Sequence, residues 1–219
     1  AMLRERGWQV EGVELSEAAA HHARDLLGLS VFVGDFLAVP LAPGTFDVVQ
    51  LWHVLEHCAD PVAALRQAHA LLRPGGLLVL AVPNFESLQA RLAGRHWFHL
   101  DIPRHTVHFR AGALLALLAR EEFAIDTVAH FSLEQNPYGW IQSLQNLAGF
   151  RANLLYELLK RDGARSVRSP WRDHPVQSAA VGLLAVPLGL VAGALTLLET
   201  ALQRGGTFEV YARRSGPAA

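Results

Sequence analysis

From residue 1 to about 131, short β-rich runs alternate with amphipathic helical stretches, the pattern of a parallel sheet covered by helices. Residues 2–6 read as the end of a helix stopped by Gly7, and 8–15 as a strand ending beside Glu14. Ser16 is a suitable N-cap for a helix through Leu27, with Glu17 in its first turn and Gly28 at its end. Ser30–Val33 is a short strand closed by Gly34 and Asp35. Phe46–Trp52 is almost continuous β-forming sequence, as expected of a strand buried on both faces. Asp60 and Pro61 open a helix at its N-cap and first position, and this helix runs to Leu72 and stops at Arg73-Pro74-Gly75-Gly76. A strand over 77–82, a helix over about 111–121 and a strand over about 124–131 complete the alternation.

Beyond residue 131 the rhythm changes. Residues 138–160 and 176–203 read as helices separated by a polar linker at 162–175, and Thr207–Arg214 alternates with period two, as a final strand returning to the sheet does. Residues from Arg213 on are expected to fray. The organisation is therefore an α/β core over 1–133 and 206–214, with a helical insertion at 134–205 before the last strand. Pro187 either divides the second long helix into a hairpin or starts a new helix packed on the core.

Composition narrows the function classes. Nineteen basic against twenty acidic side chains create no basic groove, so a nucleic-acid partner is not expected. Cys58 is the only cysteine, which rules out an intrachain disulfide and every multi-cysteine metal motif and fits the cytoplasm. Charges near the N-terminus stand where an export signal carries its apolar segment. Between His174 and Glu199 no charged residue occurs, and 178–198 is long enough to be a membrane-span candidate. A full span is awkward, because the strand after it must rejoin the sheet on the same side. Peripheral contact with the inner membrane face, a lipid-like substrate, plain burial and homodimerisation, for which Gly189 and Gly193 form a Gly-x-x-x-Gly pattern, all stay open.

In an open α/β sheet, ligands lie beyond the carboxyl ends of the strands. Glu14 there can accept both hydroxyls of a ribose, or cap the helix beginning at Ser16. Asp35 with Phe36 offers an acceptor for an exocyclic amine beside an aromatic face for a purine, although a turn aspartate would look the same.

Glu14, Gly34-Asp35-Phe36, Phe46-Asp47-Val48-Val49, His53-Val54-Leu55-Glu56-His57, Asp60-Pro61 and Leu72-Arg73-Pro74-Gly75-Gly76, in this order and spacing, resemble class I S-adenosylmethionine (SAM) dependent methyltransferases related to ubiquinone-pathway O-methyltransferases. The resemblance covers about two thirds of the chain. It implies a Rossmann-like three-layer αβα sheet, SAM as cofactor, and methyl transfer, chiefly to oxygen, on a small-molecule or lipid-linked acceptor. It also implies that Glu14, with Leu15, holds the ribose, that Asp35 and Phe36 meet the adenine, and that Leu51, Trp52 and His53 line the methyl-transfer side. His53 is the best-placed base by topology, and a histidine satisfied by neighbouring backbone is the alternative. Glu56 and His57 are expected to anchor the strand-to-helix turn.

One departure stands out: the family's first strand and its acidic-Gly-x-Gly-x-Gly turn have no counterpart, so the sheet is expected to lack a central strand. A non-catalytic protein of this fold, or a membrane-associated scaffold acting through 176–203, are the rival readings. A second cluster, His96, His99, Asp101, His105 and His108, matches no established metal-ligand spacing, so no metal is expected. A related Pro-x-His in the resembled subgroup makes His105 the second candidate base or substrate contact, with an ordered histidine loop as the alternative.

Overall fold

The computed structural model describes residues 2–159 and 170–215. After a short helix α1 (Met2–Glu5) come β1 (Glu11–Glu14), α2 (Glu17–Leu27) and β2 (Ser30–Val33). Then follow β3 (Phe46–Trp52), α3 (Pro61–Leu71), β4 (Leu72–Pro83), α4 (Leu88–Ala93), α5 (Ala111–Arg120) and β5 (Phe123–Ala129). The insertion contributes α6 (Gln135–Leu147), α7 (Leu154–Leu159), α8 (Pro170–Asp173) and α9 (Pro175–Ala201) before the last strand, β6 (Thr207–Arg214). Four strands form one sheet in the order β3-β4-β6-β5, with β3 parallel to β4 and β6 antiparallel to both of its neighbours. The result is a Rossmann-like three-layer αβα arrangement.

The predicted caps form. Ser16 Oγ accepts from the Ala19 amide, Gly28 ends α2 in the left-handed conformation, and Asp60 caps α3 with Pro61 in its first turn. Apolar residues at helical spacing on α3 (Leu65, Ala68) and α5 (Leu114, Leu118) share one core with Leu78 and Leu80 of β4 and Phe208 and Val210 of β6.

The expected missing strand is visible as a break. β1 and β2 pair only with each other, and β3 has no partner on its outer edge among the described residues. A cleft of roughly 270 Å³ runs between Glu11, Gly12 and Val13 on one side and Phe46, Val48 and Val49 on the other. The described chain supplies no strand to this slot, so β3 presents unpaired ladder groups to it. The β1–α2–β2 layer is thinly packed as a consequence: α2 buries only Ala20, while Leu15 and Leu26 are largely exposed.

Several boundaries differ from expectation. β1 is shorter, leaving Trp8, Gln9 and Val10 outside it. β4 begins at Leu72, which pairs with Phe46 before the ladder shifts and resumes at Val48 opposite Leu77, so the Pro-Gly-Gly turn is absorbed into the strand. The stretch read as one helix over 138–160 is two, α6 and α7, separated where Gly149 and Asn153 take left-handed backbone. The Asn146 side chain bridges that corner, accepting from the Asn153 amide at 2.9 Å. Lys160 and the linker over 162–169 lie outside the described residues. Pro187 does not divide its helix: α9 runs uninterrupted through it. Proline removes one bond to the carbonyl four residues back, that of Leu183, on a stretch of the helix that is largely exposed. Arg213 does not fray. It pairs with Leu77 and Ala124 in the sheet and donates to Asp126 at 2.8 Å, and β6 continues to Arg214.

Candidate functional site

The strand ends converge on one pocket. Glu14 finishes β1, Asp35 and Phe36 follow β2, and His53 follows β3, and together with His57 and Cys58 they line a cavity of roughly 620 Å³, within the range of small-molecule sites of about 300–1,000 Å³. Glu14 accepts the Ser16 amide through Oε1 at 2.8 Å, and Asp35 accepts the Leu37 amide through Oδ1 at 2.9 Å. Both local alternatives read from the sequence are therefore real, and each leaves the second carboxylate oxygen for a ligand. Leu15 is on the rim. Leu51 is buried in the core and faces the empty strand slot rather than the pocket. Trp52 is half-buried with its ring edge-on to His53, outside the pocket wall.

His53 is held in the left-handed region at φ 52°, an uncommon conformation for a side-chain-bearing residue. Its amide donates to the Ala81 carbonyl at 2.9 Å, which fastens the turn to β4. Its Nδ1 lies 3.0 Å from Glu56 Oε1. Glu56 is buried, and its carbonyl accepts from the Thr106 amide and hydroxyl, so the turn after β3 is tied to the 101–109 loop. A carboxylate at Nδ1 fixes that proton and leaves Nε2 as the acceptor.

His105 does not line the pocket. It packs edge-on to His57 at 4.8 Å between ring centres, and its Nδ1 meets the His99 carbonyl at 2.7 Å. Burial pushes the His105 pKa down, against that hydrogen bond. His99 is driven to about 3 by burial first and then by His53 and His105. Burial, helped by Asp35 and Glu56, raises the Cys58 thiol, which makes it a poor nucleophile.

Comparison with known proteins places this geometry in a family. A methyltransferase domain family matches residues 1–128, more than half of the chain. The chain belongs to that methyltransferase family. Among curated relatives, the ubiquinone biosynthesis O-methyltransferase of Bordetella pertussis is 31% identical over 150 residues, covering 63% of this chain and 61% of that protein. A protein of a Streptomyces fradiae transposon, described as uncharacterized, is 40% identical over 75 residues, covering 34% of this chain and 22% of that one. The chain thus spans less than two thirds of the length of these relatives. SAM-dependent methyltransferases of solved structure share the fold. One from Archaeoglobus fulgidus has a TM-score of 0.56 at 17% identity, covering 97% of this chain and 79% of that one. One from Mesorhizobium loti has a TM-score of 0.53 at 19% identity, covering 97% and 84%.

S-adenosylmethionine is the cofactor of this methyltransferase fold, and the pocket suits its adenosine half, with one uncommitted oxygen on each of Glu14 and Asp35 and an aromatic ring at Phe36. No glycine turn for its carboxypropyl end occurs among the described residues.

Sequence reasoning missed a buried polar network on the methyltransferase core. Gln89 of α4 donates to the Asn136 carbonyl and to Glu199 Oε1, and the Gly206 amide donates to the same carboxylate oxygen. Asn84 donates to the Gly205 carbonyl and Asn136 accepts from Thr207. The one available signal was Glu199, an acidic residue ending a long apolar helix. Burial raises its pKa to about 7, against the hydrogen bonds that favour the carboxylate. With its folded value above the unfolded one, Glu199 contributes stability that is fully present below about pH 4.5 and lost as pH rises through about 7. His99 acts oppositely: its lowered value gives stability that is present above about pH 6.5 and lost as pH falls toward 3. Each group changes stability by up to about 1.4 kcal/mol per pH unit in its window. Glu199→Gln is therefore expected to remove the wild type's loss of stability between about pH 4.5 and 7, and denaturant midpoints from pH 4 to 8 check it. A wild-type decline that persists unchanged in the variant would contradict this assignment.

Proposed function

We propose that this chain is a SAM-dependent methyltransferase domain that moves a methyl group to oxygen on a small or lipid-linked acceptor. The observation carrying this reading is that Glu14, Asp35 and His53, from three separate strand ends, share one pocket. Glu14 holds the ribose hydroxyls, Asp35 the adenine amine, and Phe36 covers the ring. SAM supplies an activated methyl on sulfur, so the chain's own work is alignment and proton removal. His53, oriented by Glu56, is the base of this reading, with Nε2, buried and without a hydrogen-bond partner among the described residues, as its free acceptor atom. Oxygen as acceptor atom is supported by the name of the 31% identical relative. His53→Ala is expected to lower turnover about 100-fold, in line with the loss of a general base, while S-adenosylhomocysteine affinity changes less than about threefold. Transfer of labelled methyl to hydroxylated aromatic acceptors, with and without prenyl tails, measures this. Unaltered turnover in the variant would remove His53 from the mechanism.

The insertion supports a lipid-facing role. In α9, Val176, Leu183, Leu190 and Leu197 recur at seven-residue spacing and are each at least two-thirds exposed, and only 17% of its most apolar stretch is buried. An added Cβ at Gly189 or Gly193 would meet nothing within 4 Å, so among the described residues no neighbouring helix seats against them. Such a stripe fits the surface of the cytoplasmic leaflet of a membrane, where a lipid-linked acceptor would be within reach. Because α9 carries no basic residue, binding is expected to be independent of salt and of anionic lipid. The protein should float with phosphatidylcholine vesicles at low and high salt, and the Leu183→Glu, Leu190→Glu double variant should stay at the bottom. If the wild type also stays there, the stripe is not a membrane surface. Dimeric sedimentation that the double variant abolishes would assign it to a second copy.

A further inference from the structure

We propose that the cavity at the carboxyl end of β4 is a second binding site, one that takes the phosphate group of a small soluble molecule. Phe85 and Glu86 after β4, Arg91 of α4, Arg110 at the start of α5 and Arg204 before β6 line a space of roughly 360 Å³. It shares no lining residue with the pocket of Glu14, Asp35 and His53, so its ligand does not depend on what that pocket binds.

The three guanidiniums carry the reading. Arg66, Arg73, Arg151 and Arg213 each meet a carboxylate. Arg91, Arg110 and Arg204 meet none, and their side chains make no hydrogen bond among the described residues. Glu86 is the one acidic residue on the wall, and it pairs with none of them. Three like charges around one cavity repel, and a bound anion turns that repulsion into attraction. The planar fork of a guanidinium matches phosphate oxygens two at a time. A phosphate monoester carries about 1.5 to 2 negative charges at neutral pH, which offsets the excess of three cations over one anion better than a single carboxylate does.

The cavity is built on fixed backbone. The Phe85 amide donates to the Phe109 carbonyl at 2.9 Å, the Arg204 amide to the Glu199 carbonyl at 2.7 Å, and the Leu88 amide to the Arg204 carbonyl at 3.0 Å. Asn84 also lines the space and is 2% exposed. Its Nδ2 gives one hydrogen to the Gly205 carbonyl at 3.1 Å and keeps a second with no acceptor among the described residues. α5 starts at the same wall, with Arg110 as its N-cap, no side-chain cap and no acidic residue in its first turn. An arginine there opposes the helix dipole, an arrangement that an anion on the first-turn amides makes favourable. The approach is open, since an added Cβ at Gly112 would meet nothing within 4 Å. Phe85 has its ring centre 6.2 Å from that of Trp97 and 5.4 Å from that of His108, and is still 40% exposed. It offers a flat apolar wall beside the arginines, against which an aromatic body attached to the phosphate can rest.

A lipid head carries the same phosphate group. The volume suits a small molecule, and the salt-independent docking expected of α9 asks nothing of these arginines.

The test titrates the full chain with phenyl phosphate by calorimetry at low ionic strength. One molecule per chain is expected, with affinity falling as salt is added. Benzoate, with the same ring and a single charge, should bind at least about tenfold more weakly. Arg110→Gln and Arg204→Gln should each lower phenyl phosphate affinity at least about tenfold. Arg120→Gln makes the same charge change at the other end of α5 and should bind as wild type does. All three arginines are exposed, and far-UV circular dichroism verifies folding. Titration with S-adenosylhomocysteine on the same samples reads the cofactor pocket separately. A folded wild type giving no heat with phenyl phosphate overturns the proposal, as does unchanged binding in Arg110→Gln and Arg204→Gln or equal weakening in all three variants. Flotation with phosphatidic acid vesicles that the first two variants lose, without uptake of phenyl phosphate, overturns it in favour of a lipid head.

Discussion

Gly205→Ala lowers the melting temperature by at least about 6 °C, the expectation for about 3 kcal/mol in a domain of this size. A Cβ at Gly205 would stand 2.0 Å from the His130 carbonyl oxygen and 2.9 Å from Asn136 Nδ2. The first of these is backbone, and it cannot rotate away. Overpacking typically costs about 1–3 kcal/mol, and occasionally more, and this contact belongs at the upper end because the residue sits where four elements meet. The Gly205 carbonyl accepts from Asn84 after β4, the neighbouring Gly206 amide donates to Glu199 of α9, and His130 follows β5. Moving any of them disturbs the register in which β6 enters the sheet. Gly193→Ala is the matched control. Nothing lies within 4 Å of its added Cβ, and the substitution should stabilise by about 0.5–1 kcal/mol through helix propensity. Calorimetric melts of the two variants decide the point. A Gly205→Ala protein melting within 2 °C of the wild type would mean that this junction is not packed as described.

The contrast between these two glycines shows what could be read from the chain before its fold. Elements whose patterns are local came through: Phe46–Trp52 as a continuous β run, the Ser16 and Asp60 caps, Thr207–Arg214 with its alternation. Their side chains announce their neighbours within a few residues. The helix across Pro187 did not, because proline's cost depends on whether the orphaned carbonyl finds water, and exposure is a property of the fold. Gly205 and Gly206 stand directly before the last strand, and their smallness serves close approach to His130 and Gln89, partners far away in sequence.

The site divides the same way. Glu14, Asp35, Phe36 and His53 were legible as strand-end residues, and they share the pocket. Leu51 was placed on that list by position alone, and strand alternation turns it into the core instead. Glu56 was taken for a turn anchor. It is one, through its carbonyl and Thr106, but its side chain also orients His53, a link that the i, i+3 spacing of the two hinted at without deciding.

The second large effect concerns the cofactor. A charge-assisted hydrogen bond contributes about 1.5–3 kcal/mol, so losing the charge at Glu14 or at Asp35 is expected to weaken S-adenosylhomocysteine binding at least about tenfold, and at both about 100-fold or more. Glu14→Gln and Asp35→Asn are the informative substitutions. Each keeps a carbonyl oxygen to accept the Ser16 or Leu37 amide, so the turns remain capped while the anionic oxygen is lost. Circular dichroism should show the double variant folded. Calorimetric titration of this chain with S-adenosylhomocysteine tests the central claim most directly. The account predicts saturable binding of one molecule per chain that the double variant weakens about 100-fold or more; a folded wild-type sample giving no heat, or a double variant titrating as the wild type does, would contradict it.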